Sequence, residues 1–125
     1  MIKEVVSVGL AVDERLRVKK NVLKPQNMTG MEKRICIVTG THGDELEGQY
    51  VCYEVNRIIR ENPDCLKGIV EIYPALNPLG VDSISRGAPM FDLDMNRIFP
   101  GDENGAVAEH VAARIIKDIA GADLC

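Results

Sequence analysis

The chain has 125 residues, 46% of them apolar and 27% charged, with a net charge of −4. That length makes one domain or a piece of a larger one, long enough to bury a core and ordinary in composition for a soluble protein. Nucleic acid is excluded as a partner, because basic residues do not outnumber acidic ones and 4% aromatic content offers little surface for base stacking.

In chain order, Val5–Val12 predicts a strand, Asp13-Glu14 a turn, and Leu16–Leu23 an antiparallel return that ends at Pro25. The polar stretch Gln26–Lys33 reads as a loop. Arg34–Gly40 is a continuous apolar run, the pattern of a strand covered on both faces. From Asp44 the period becomes helical, with Val51, Val55, Ile58 and Ile59 on one stripe, and Pro63 stops the helix. Ile69–Pro74 predicts the next strand. Asn77–Gly105 is a long irregular stretch rich in Gly, Pro, Asp and Asn, and loops of that length in a compact domain are commonly functional. Ala106–Ile119 repeats Val107, Val111, Ile115 and Ile119 at helical spacing, Gly121 caps it, and Ala122–Cys125 opens another strand. This order of strands and helices is that of an α/β protein with a largely parallel sheet. The loops after the strands at Gly40 and Pro74 should open on one edge of it.

Cys36, Cys52, Cys65 and Cys125 show no C-x-x-C pair and no zinc-finger spacing, and Cys36 and Cys52 fall on apolar patterns as small core residues. Reduced thiols, no secretory signal in Val5–Val12 and no membrane-length apolar segment together predict a cytoplasmic protein. An oligomer is left open.

His42 follows a predicted strand by two residues, and Glu45 is expected in the first turn of the next helix, where the dipole favours a carboxylate. Imidazole nitrogen and carboxylate oxygen at this spacing can share one zinc ion, with Gly40 and Gly43 allowing a tight turn. Taken alone, the pair is equally a loop histidine beside a helix-terminal charge. His110 shares a helical face with Arg114 and Lys117 and reads as a solvated surface residue. Arg86 and Arg97 lie in the long loop with Asp92, Asp94 and Asn96. An arginine fork matches a carboxylate and can stabilise an oxyanion, but the same residues can simply hold a loop together by Asp–Arg pairing.

Taken together, Gly40-Thr41-His42-Gly43-Asp44-Glu45, Asn77-Pro78, Arg86 and the Asp94-Met95-Asn96-Arg97-Ile98-Phe99-Pro100-Gly101 block closely resemble the succinylglutamate desuccinylase/aspartoacylase family of zinc hydrolases, over about residues 34–125. The resemblance implies a carboxypeptidase-like (phosphorylase/hydrolase-like) three-layer α/β/α core with a mixed, largely parallel sheet. Residues 1–33 would form a leading hairpin and loop, and residues 34–125 the metal-site core. It implies an amidohydrolase that deacylates an N-acyl amino acid or similar small amide with one zinc ion. His42 and Glu45 would be its first two zinc ligands, and Arg86 would polarise the scissile carbonyl. Asn96 and Arg97 would bind a substrate carboxylate, with Asp94 ordering the loop. In the family the third ligand is a histidine in an Asp-Leu-His segment, and the general-base glutamate lies much further along. This chain reaches Asp123-Leu124-Cys125 without either, so it is expected to be the N-terminal part of a longer enzyme and, by itself, inactive. A zinc carboxypeptidase acting on peptides and a non-catalytic binding domain are the alternatives. Substrate specificity is expected in Ser83–Phe91.

Overall fold

The computed structural model describes residues 1–89 and 93–125, so Phe91 and Asp92, both named above, lie outside the described residues. Four strands, β1 (Ile2–Gly9), β2 (Arg15–Leu23), β3 (Arg34–Val38) and β4 (Ile69–Tyr73), form one sheet in the order β1-β2-β4-β3. Helix α1 (Glu47–Glu61) connects β3 to β4, and α2 (Pro78–Ser83) and α3 (Val107–Ile119) follow. The sheet is mixed. β3 and β4 are parallel, while β1–β2 and β2–β4 are antiparallel, so within the described residues the balance leans to antiparallel because the N-terminal hairpin lies directly against β4.

Side-chain alternation divides the sheet between two cores. Cys36 and Tyr73 face Val111, Ala112 and Ile115 of α3. Their chain neighbours Ile37 and Ile72 face Cys52, Val55 and Ile59 of α1. The helices therefore lie on opposite faces, giving three layers. The hairpin shares the α3-side core through Val6, Leu16 and Val18.

Four local expectations change. The first strand begins and ends earlier than Val5–Val12, because Ala11–Glu14 is a tight turn with Val12 and Asp13 both left-handed (φ 58° and 60°). β3 is covered on both faces only at its middle, by α3 over Cys36 and α1 over Ile37: Ile35 and Val38 are each 37% exposed on this edge strand. In α1 the inward stripe is Gly48, Cys52, Val55 and Ile59, leaving Val51 and Ile58 about half exposed. Gly48 explains the rotation, because a Cβ there would stand 2.2 Å from Thr39 Oγ1, and only glycine lets the helix approach the strand on that side. The irregular stretch after Asn77 contains α2 and a 3₁₀ turn at Met95–Arg97.

One buried cluster was not legible as such. Lys20 continues the inward series Leu16, Val18, Lys20 on β2 and is 6% exposed. Its Nζ bonds to Glu71 Oε2 at 2.9 Å and Asp118 Oδ2 at 2.7 Å. Burial alone would lower the Lys20 pKa, but the hydrogen bonds and charges of Asp118 and Glu71 raise it above 10.5. Burial likewise opposes ionisation of Asp118, yet bonds from Lys20 and Tyr73 hold it below 3.8. Arg34 reaches the same Glu71 oxygen at 3.1 Å and donates to the carbonyls of Asp118, Ile119 and Ala120, closing the C-terminus of α3. Among the described residues, no helix is long and apolar enough to cross a membrane.

Candidate metal centre

Three segments meet beyond the carboxyl ends of β3 and β4. The chain leaving β3 stays paired with the chain leaving β4: Thr39 N–H donates to Tyr73 O at 3.0 Å and Asn77 N–H to Gly40 O at 2.8 Å. Gly40 is left-handed (φ 67°), and a Cβ there would meet Ala75 Cα at 2.8 Å. Asn77 is buried and caps α2, its Oδ1 accepting from Gly80 N–H at 3.0 Å, with Pro78 at the first helical position. Gly43 then lies flat on Gly80. A Cβ at Gly43 would be 1.9 Å from the Gly80 carbonyl carbon, and Gly43 N–H donates to Ser85 O at 2.9 Å. This backbone contact fixes the His42 loop against the segment that carries Arg86.

His42 is 8% exposed and held between two carboxylates. Its Nδ1 is 3.2 Å from Glu45 Oε1, and its Nε2 is 3.0 Å from Asp94 Oδ1. The Asn96 side-chain amide lies 3.3 Å from Nε2. Asp94 also accepts the Asn96 backbone N–H at 2.9 Å, capping the 3₁₀ turn. These bonds, the His42 ring first and the Asn96 N–H second, with the charges of His42 and Arg86, hold Asp94 below the usual carboxylate range. Asp94 can accept a hydrogen bond from Nε2–H, and with the proton on that nitrogen Nδ1 is the one that can offer a lone pair to a metal ion shared with Glu45. Asp94 thus orients the histidine as well as its own loop, a partnership 52 residues apart in sequence.

The donor set fits a zinc ion. Two ligands of a tetrahedral ion at about 2.0–2.1 Å stand about 3.3 Å apart, and Nδ1 and Oε1 stand 3.2 Å apart. Glu45 is not in the first turn of α1, which begins at Glu47 after Leu46, so the helix dipole acts on it less than the sequence implied. Among the described residues, no group of three or more His, Cys, Asp or Glu side chains could hold a metal. Leu124 bridges Ile35 in parallel, which sets Cys125 beside Cys36, about 13 Å along the strand from Gly40. Cys125 therefore does not reach the His42–Glu45 pair. His110 also lies elsewhere, with Nδ1 2.8 Å from Glu103 O beside the Glu103–Lys117 pair.

Arg86 Nη1 donates to Glu45 Oε1 at 3.4 Å, and its Nη2 is 3.7 Å from Asp94 Oδ2. The structure therefore brings His42, Glu45, Arg86, Asp94 and Asn96 together. Arg97 follows Asn96 on the 3₁₀ turn and is exposed. A depression of about 400 Å³ opens beside the cluster, lined by residues 39–42, Glu45, Glu47, Gly48 and Asn96. Glu47 was not singled out by sequence, because nothing in its spacing marks it. A larger groove of about 710 Å³ lies at the opposite ends of β3 and β4, around residues 25–33 and 63–70, away from these groups.

Residues 31–124 match a family described as the succinylglutamate desuccinylase/aspartoacylase catalytic domain. The N-alpha-acetyl-L-2,4-diaminobutyric acid deacetylase of Halomonas elongata is 36% identical over 73 residues, 58% of this chain and 21% of that protein. An aspartoacylase family protein from Mesorhizobium loti superposes with a TM-score of 0.75 at 28% identity, covering 94% of this chain and 35% of that one. A succinylglutamate desuccinylase/aspartoacylase from Rhodobacter sphaeroides gives 0.76 at 26% identity, covering 95% and 36%. A metallo-carboxypeptidase from Burkholderia cenocepacia, 16% identical with a TM-score of 0.67 over 98% and 34% of the two chains, shares the fold. This chain thus spans about a third of the length of these solved structures and about a fifth of the deacetylase.

Proposed function

This chain belongs to the succinylglutamate desuccinylase/aspartoacylase family, and from that premise we propose that its His42 cluster is part of the centre of a zinc-dependent hydrolase that deacylates an N-acyl amino acid or similar small amide. The observation that carries the reading is His42 held by Asp94 on one ring nitrogen while the other faces Glu45 at 3.2 Å. His42 Nδ1 and Glu45 Oε1 would be the first two ligands of one ion, and residues 34–125 would form the metal-site core behind the hairpin of residues 1–33. A bound zinc ion supplies Lewis acidity, acidifying water and drawing charge from a carbonyl oxygen.

The chain's own groups orient the histidine and the substrate. Asp94 keeps the His42 proton on Nε2, so the nitrogen facing Glu45 stays a lone-pair donor. Arg86 presents a guanidinium beside Glu45, where it would share the charge that develops on the attacked carbonyl oxygen. Asn96 and the exposed Arg97 take the substrate carboxylate, supplying orientation rather than chemistry. Ser83–Gly87 contributes to substrate specificity.

The test is metal content followed by turnover. The natural protein carrying these residues should bind zinc, lose it in His42→Ala, and hydrolyse N-acyl amino acids faster than peptides. Arg97→Ala should raise KM with little change in kcat. Unchanged zinc stoichiometry in His42→Ala would remove the assignment. Faster peptide turnover would favour the carboxypeptidase reading, and no turnover of either the binding-domain reading.

A further inference from the structure

The Glu45 oxygen that faces His42 Nδ1 is the same oxygen that accepts from Arg86. Oε1 lies 3.2 Å from the imidazole nitrogen and 3.4 Å from Arg86 Nη1. The other arm of the guanidinium, Nη2, is 3.7 Å from Asp94 Oδ2. One arginine thus spans both carboxylates that flank the histidine. We propose, resting on the metal-site reading above, that Arg86 and a divalent cation compete for the Glu45 carboxylate, with Asp94 the pivot on which the guanidinium turns when the cation wins.

Two features make the side chain free to turn while its backbone stays put. Arg86 and Glu45 are 59% and 64% exposed, so neither head group is packed in place. One residue upstream the main chain is pinned, with Ser85 N–H on Gly80 O and Gly43 N–H on Ser85 O, both at 2.9 Å. A cation between Nδ1 and Oε1 places a second positive charge next to Nη1 and takes up the electron density that this donor uses. Asp94 keeps its hold on Nη2, because its charge is not consumed by the cation. The freed Nη1 is then available to a substrate oxygen. Loading the metal therefore also readies the arginine, and the arginine in turn weakens the metal.

The opposite arrangement, in which Arg86 buttresses Glu45 for the metal, predicts the opposite sign, so zinc titration of the natural protein carrying these residues, against a competing chelator at low salt, separates the two. Arg86→Gln should bind zinc about two- to fivefold more tightly than the wild type, the range of a single exposed charge pair, and Arg86→Lys should shift less. The gain should shrink in about 1 M salt, where the Debye length falls to about 3 Å. The Arg86 Nε–H resonance should also move when zinc is added to the wild type. Equal or weaker zinc binding by Arg86→Gln, or a stationary Arg86 signal, overturns the competition while leaving the metal site in place. A wild type that takes up no zinc overturns the metal site and this inference together.

Discussion

Replacing Gly43 by alanine tests the contact on which the whole centre is built. The new methyl would stand 1.9 Å from the Gly80 carbonyl carbon and 2.0 Å from its oxygen. Carbon contacts settle at about 3.5 Å, so the His42 loop and α2 must part by about 1.5 Å. Both partners are main chain, and neither can swing aside. Parting breaks the Gly43 N–H···Ser85 O bond and carries Arg86 away from Glu45, whereas His42 and Glu45, on one loop, travel together. Overpacking of this kind costs about 1–3 kcal/mol, and for a chain of this size that lowers the melting temperature by about 4–12 °C. The loop also shifts His42 relative to Asp94, and losing such a support weakens a metal site by about 10- to 100-fold. Thermal melts followed by circular dichroism, paired with zinc titration, read both effects. Gly9→Ala is the control, because a methyl there meets nothing within 4 Å. A Gly43→Ala protein that melts within 1 °C or so of the wild type and binds zinc equally well would refute the interlock.

Lys20→Met should cost about 3 kcal/mol, the low end for opening a buried ion pair, since Arg34 and Tyr73 still serve Glu71 and Asp118. A melting temperature within about 2 °C of the wild type would contradict it. The same cluster sets a pH window: Asp118 is depressed, so its contribution is present above 3.8 and lost as pH falls below it, while Lys20 is raised, so its share is present below 10.5 and lost above it. Denaturant titrations across pH should show the alkaline loss vanish in Lys20→Met. The β1–β2 turn carries a β-branched residue at φ 58°, so Val12→Asn with Asp13→Gly should stabilise the chain by about 1 kcal/mol. A lower midpoint in urea would argue against that turn assignment.

Periodicity carried most of the fold. The β2 alternation, the apolar run of β3 and the stripe of α3 are local patterns, and the structure keeps each near its expected place. What escaped was set by partners far along the chain. The rotation of α1 follows from Gly48 against Thr39, just past the end of β3, not from its own apolar count. Lys20 reads as a surface charge until Glu71 and Asp118 are brought to it, although its place in the series Leu16, Val18, Lys20 was a signal that it points inward. At the site, the His42–Glu45 spacing, Arg86 and the Asp94–Arg97 block were legible because they are short and ordered. The grip of Asp94 on His42 was not, because two loops must close on each other to make it.

The Glu71 carboxylate has a consequence for how the molecule comes apart. A single oxygen gathers Lys20 from β2, Arg34 and Cys36 from β3, and Tyr73 from β4, and Arg34 extends the same knot to the last turn of α3. No one of these elements can leave without stranding charge in the interior, so the hairpin, the parallel pair and the final helix should open in a single event. Amide protons in β2, β4 and α3 should accordingly exchange with one shared free energy, while the His42 loop and the Arg86 segment breathe on their own.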